Sequence, residues 1–185
     1  MISSTAITAA FEAYLLATMV RLCGDNPNVR DSDHDGCRQI EDLSLFDIDT
    51  PFERVARALG LGATGWPQII ENVPESLRES VEHRYALSRW PDFDFRILES
   101  RGGLAWGQMF VRRLGVVPPP VCSVADLRAW SHVESEVEAA LGAPVLSEEW
   151  PPWKSVSYRA GTTEYVLCYV YALLQRVEVR KSTNG

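Results

Sequence analysis

At Trp90-Pro91 the spacing of the apolar residues changes from helical to alternating, and this break constrains the fold more than any other feature. Before it, Ala9, Phe11, Tyr14, Leu15, Met19 and Leu22 share one helix face, which predicts a helix over about 4–22. Thr50-Pro51-Phe52-Glu53 reads as a second helix start: Thr50 can cap, Pro51 suits the first turn and Glu53 closes a capping box. Phe52, Val55, Ala56 and Leu59 are its buried stripe, and Gly60 ends it. A third start lies at Asn72 with Glu75 three residues on, and Leu77, Val81 and Tyr85 then recur every four residues to about Ser88.

After the break, Phe93, Phe95 and Ile97 alternate with Asp94, Arg96 and Leu98, the pattern of a half-buried strand. Arg101-Gly102-Gly103 suits a hairpin turn, with residues 104–114 as the return strand. Pro118, Pro119 and Pro120 make Val116–Val121 a rigid extended connector. Ser123, with Asp126 in the box position, predicts a helix whose core face is Leu127, Trp130, Val133, Val137 and Leu141 and whose stop is Gly142. Trp150-Pro151-Pro152-Trp153 reads as a stiff turn, and residues 155–160, 163–173 and 175–181 as strands. The expectation is an α+β fold: a helical N-terminal half packed on a mostly antiparallel sheet of four or five strands with one inserted helix. It forms a single domain over residues 1–185, helical over about 1–90 and sheet-rich over about 91–181, with a frayed tail at 182–185.

Charge is as unevenly placed as the helices. The net charge is −7, and residues 25–53 alone hold nine acids against two bases, Arg30 and Arg38. Such a segment attracts a basic partner or cations and repels phosphate backbones, so nucleic-acid binding is disfavoured. The four cysteines, Cys23, Cys37, Cys122 and Cys168, include no CxxC pair, which points to a reduced, cytoplasmic setting. The apolar start contains Glu12 and no base before Arg21, unlike a secretory leader, and no apolar run is long enough to predict a membrane span.

Asp31-Ser32-Asp33-His34-Asp35-Gly36 resembles the first half of the calcium loop of the EF-hand family, and the resemblance implies calcium held by Asp31, Asp33, Asp35 and Asp42. Asp42 stands where that family places a bidentate Glu, and Arg38 where it places an apolar residue. A solvated acidic turn accounts for the same residues without metal. Gly60-Leu61-Gly62-Ala63-Thr64-Gly65 matches a dinucleotide pattern but follows a helix instead of a strand, which is a helix stop and not a phosphate cradle. Val55–Leu61 followed by Trp66, Ile69 and Ile70 resembles a helix-turn-helix. Its second helix would contain Pro67 and offer only Gln68 and Glu71 to DNA.

No GxSxG elbow or catalytic cysteine signature is present, so an enzyme would need a site assembled from distant residues. Tyr165, Leu167, Tyr169 and Tyr171 share one strand face, either a second buried layer or an exposed recognition surface. The favoured expectation is a non-catalytic acidic protein that masks a basic partner, in the manner of immunity proteins and phage inhibitors. Asp31, Asp33, Asp35, Asp42, Asp47 and Asp49 would steer the encounter, and Trp66, Trp90 or Trp153 would anchor it. The alternatives are a calcium-binding module with no other cofactor, and an enzyme with a spatially assembled site.

Overall fold

The computed structural model describes residues 4–23, 80–100 and 105–181. The elements are α1 (Ser4–Cys23), β1 (Ser80–Ala86), β2 (Phe93–Ser100), β3 (Ala105–Arg112), a 3-10 turn (Val124–Asp126), α2 (Glu134–Leu141), β4 (Leu146–Trp150), β5 (Trp153–Ala160), β6 (Thr163–Val170) and β7 (Leu173–Lys181). The strands form two sheets, in the orders β1-β2-β3 and β4-β5-β6-β7. β1 and β2 pair antiparallel, as do all neighbours in the second sheet. The chain divides into two compact units. Among the described residues, 4–18, 80–100 and 105–109 belong to the first and 19–23 and 110–181 to the second. The region is therefore mostly antiparallel sheet with few helices. The helix predicted from Thr50 and the first part of the one predicted from Asn72 lie outside the described residues.

In the first unit, Phe93, Phe95 and Ile97 are buried while Asp94, Arg96 and Leu98 are half-exposed, as the alternation predicts. β1 corrects an expectation: Val81 and Tyr85 stand on a strand, opposite Glu99 and Phe95, and not on a helix. A four-residue spacing is shared by one helix face and one strand face, and antiparallel pairing with β2 decides between them. Phe11 of α1 meets Phe95 edge to face with ring centroids 5.3 Å apart, and Tyr85 at 6.4 Å. Gly107 of β3 lies close to Leu98, whose side chain would have to shift to admit a Cβ there, 2.9 Å from its Cδ1.

Glu12 of α1 is a buried carboxylate held by the β1–β2 connection. It accepts the Ser88 N–H, the Ser88 hydroxyl at 2.9 Å and the Arg89 N–H at 3.3 Å. A helix and a turn 76 residues apart in sequence are thereby joined through one side chain. Removing the acceptor breaks the tie between α1 and the β1–β2 connection and loses the charge-assisted hydrogen bonds from Ser88 and Arg89. Glu12→Ala is expected to lower stability by about 1–3 kcal/mol in urea unfolding.

The second unit is built on the β4–β7 sheet. Val156, Tyr158, Leu167, Tyr169 and Leu174 of the sheet pack with Val124, Leu127 and Val137. The helix predicted from Ser123 to Leu141 is corrected to a 3-10 turn, an irregular stretch and the short α2. Its ends match the expectation: Asp126 accepts the Ser123 N–H at 2.7 Å and its hydroxyl at 3.0 Å, and Gly142 at φ 82° stops α2. The middle does not, because Trp130 sits at φ 61° and residues 130–134 instead run beside the start of β7. Trp130 N–H donates to Leu174 O at 2.7 Å, Leu174 N–H to His132 O at 3.0 Å, and Val133 bridges Leu173. Tertiary hydrogen bonds here replace helical ones.

The single sheet of four or five strands is likewise corrected to two sheets, and β4 is a strand the alternation did not mark. The strand predicted over 163–173 breaks at Tyr171-Ala172, a two-residue hairpin turn with φ of 51° and 63°. Neither residue is the glycine or asparagine such a turn favours. Three backbone contacts hold it: Tyr171 N–H to Pro152 O at 2.8 Å, Phe110 N–H to Tyr171 O at 2.8 Å, and Glu134 N–H to Ala172 O at 2.9 Å. Ala172→Gly is expected to raise stability by about 0.5–1 kcal/mol by relieving the left-handed strain, and Ala172→Val to lower it by more, read as opposite shifts in Tm.

Candidate interaction surface

α2 and β4 together carry the acids Glu134, Glu136, Glu138, Glu148 and Glu149. Gly142 ends α2, and its N–H donates to Glu138 O at 2.8 Å. The chain then returns as β4 and reverses at Pro151-Pro152, joined by a cis peptide bond, into β5. Lys154 of β5 reports how close the acids come: its ammonium lies 2.6 Å from Glu134 Oε1 and 3.5 Å from Glu149 Oε2. Burial works against that charge, but Glu134 and then Glu149 outweigh it and raise the Lys154 pKa. The Tyr158 hydroxyl, donating to Gly142 O at 3.2 Å, is pushed up by burial and by Glu138 and Glu134. Glu138 and Glu148 are exposed.

β4 is an edge strand of its sheet. All five of its residues are exposed, with Leu146 at 56% and Trp150 at 69%. Leu146, Glu148 and Trp150 lie on one face, opposite Ser157, Ser155 and Trp153, and Ser147 and Glu149 lie on the other.

Not every acid of α2 is available. Glu136 receives the Arg112 guanidinium fork at 2.8 and 2.7 Å and the Val133 N–H at 3.0 Å. Burial alone would raise its pKa, but the fork outweighs that and holds Glu136 below the usual carboxylate range. Arg112 also donates to Ser131 O at 2.7 Å, so the pair ties β3 to the segment before α2. His132, four residues before Glu136, is buried with Nε2 2.9 Å from Pro119 O and Nδ1 2.7 Å from Ser131 Oγ. Its ring joins the proline connector to that same segment.

Of the residues proposed from sequence, Asp31, Asp33, Asp35, Asp42, Asp47, Asp49 and Trp66 lie outside the described residues, and with them the candidate calcium loop. Trp90 is 2% exposed and belongs to the core of its unit. Trp153 is half-buried, paired across the hairpin with the exposed Trp150. Tyr169 is buried and Tyr165 half-buried on one face of β6, an inner layer, while Tyr171 is buried in the β6–β7 turn and not on that face. Glu134, Glu138, Glu148, Glu149 and Trp150 are not among those candidates. A signal was present: residues 129–153 hold five acids and no Lys or Arg.

Cys23 at the end of α1 and Cys168 of β6 are both buried free thiols, and they share a hydrogen bond. Among the described residues no three His, Cys, Asp or Glu side chains gather as a metal site. The Cys23 thiol, and then the Arg176 guanidinium, lower Cys168 to about 6, while Cys23, hydrogen-bonded to that sulfur, is raised. A depressed thiol stabilises the fold most above its unfolded pKa, and the contribution fades as pH falls through the folded value. Denaturation of wild type minus Cys168→Ser is expected to show stability rising from pH 6 to pH 9; a flat difference counts against the pair.

No protein-family model matches the chain, and no curated protein or solved structure does either. Among the described residues, no helix is long and apolar enough to cross a membrane.

Proposed function

We propose that this protein binds a basic protein partner and masks it, without chemistry of its own. Segregated charge supports the reading: nine acids against two bases over residues 25–53, and five acids with no Lys or Arg over 129–153. Fields of one sign speed encounter with an oppositely charged surface and reject wrong partners. The 25–53 segment, with Asp31, Asp33, Asp35, Asp42, Asp47 and Asp49, steers the approach. Aromatic side chains supply short-range binding energy, for which Trp66 and Trp153 are joined by the exposed Trp150. The reading keeps the α+β arrangement, with helices over the stretch after residue 50, and a cytoplasmic setting in keeping with free thiols.

The test is capture of a partner from the native host on the tagged protein, washed at low and at high salt. One near-stoichiometric basic protein, lost at high salt, is expected. Asp31→Asn, Asp33→Asn and Asp35→Asn together are expected to weaken that complex and flatten its salt dependence. Unchanged affinity and salt dependence in the triple variant would sink the steering role of the segment. The Asp31–Asp35 pattern also motivates a calcium reading. It requires millimolar calcium to raise Tm and Asp31→Ala to abolish the rise; no shift removes it.

A further inference from the structure

We infer that the outer edge of β4, which no described strand pairs with, is where the basic partner docks, by adding an extended Lys/Arg-bearing segment as a further strand next to Leu146–Trp150. The inference rests on the proposed acidic binding function and names the place and form of its contact. An edge strand presents unpaired backbone groups, and natural edges are commonly blunted by short length, charged side chains, Pro or a bulge. β4 contains no Lys, Arg or Pro, and its pairing with β5 runs in unbroken register from Leu146 to Trp150. Its charges are Glu148 and Glu149 alone, flanked by the exposed Leu146 and Trp150.

Those charges choose the occupant. A second copy pairing antiparallel over the whole strand would put Glu148 opposite its own counterpart with each Glu149 one position away, and like charges across a ladder destabilise it. Among the described residues, Lys154 stands beside these acids, already engaged by Glu134 and Glu149, while Glu138 and Glu148 extend the negative field. A basic strand meets both demands. Because side chains alternate, an antiparallel partner places residues in turn opposite Trp150, Glu149, Glu148, Ser147 and Leu146. The fitting segment therefore reads apolar, basic, basic, small polar, apolar. Main-chain hydrogen bonds give affinity, and the two adjacent bases give specificity. An Arg in the segment can also stack on the Trp150 ring.

The probe is the capped peptide Thr-Val-Lys-Arg-Thr-Val-Thr, titrated into the isotope-labelled full chain at low salt. Two further peptides of the same sequence carry N-methyl groups on one or the other alternate set of residues. The expected result is amide shifts centred on 146–150. One methylated peptide binds like the parent and the other about tenfold more weakly, because only one set of N–H groups faces β4. Glu148→Gln with Glu149→Gln is expected to weaken binding severalfold and reduce its salt dependence, with Tm unchanged to show that the edge still folds.

Equal binding of both methylated peptides, or shifts that map to residues 25–53, overturns strand addition and leaves the acidic binding function standing. Absence of binding by this peptide, with polylysine at low salt still bound, overturns the edge site alone. Absence of binding by both overturns the edge site and the acidic binding function. Self-association lost on Trp150→Ser replaces the basic strand with a second copy and overturns the proposal.

Discussion

The β6–β7 turn holds the second unit in register. Tyr171 and Ala172 take left-handed backbone angles that side-chain-bearing residues resist, at a cost of about 1 kcal/mol or more each. What offsets it is position. The turn's backbone groups bond to Phe110 at the β3 end, Glu134 at the start of α2 and Pro152 in the β4–β5 turn. Three segments distant in sequence thus converge on two residues. With the turn set, the stretch from Trp130 to Val133 lies along β7, and the Arg112–Glu136 fork and the His132 ring secure it from the other side.

That arrangement also places charge. Because the segment before α2 is pinned to β7, α2 begins at Glu134 and presents Glu134 and Glu138 towards Lys154 and Tyr158. The chain returning from Gly142 adds Glu148 and Glu149 on β4, the edge of the sheet among the described strands. The acids kept inside are each matched by donors: Glu136 by Arg112 and the Val133 amide, and Glu12 by Ser88 and Arg89. Buried carboxylates are paired and surface ones are left to face a partner, as the desolvation penalty for charge requires. The conversion of acid content into a surface therefore depends on packing, not on composition.

Legibility varied with how local the cause was. Phe93, Phe95 and Ile97 were readable as a strand because a period of two is visible in six residues. The Ser123–Asp126 box and the Gly142 stop were readable because a cap needs only near neighbours. Val81 and Tyr85 were misread because four-residue spacing does not separate a helix from a strand. Trp130 was assigned to a helix whose period it satisfies, yet bonds to β7 turn its backbone to a positive φ. β4 was passed over because its five residues are all exposed and show no alternation of apolar with polar.

By itself the sequence determined the apolar periods, the caps, the acid-rich stretches and the shortage of bases beside them. Each follows from side-chain chemistry acting over a few residues. Tertiary structure decided that the described strands split into two sheets and that Tyr171-Ala172 turns where no glycine marks a turn. It also decided that Trp90 goes inside while Trp150 stays out, and that Cys23 meets Cys168 across 145 residues of chain. Such outcomes depend on hydrogen bonds and contacts between distant segments. Their free energy exceeds local preference only once the segments have met.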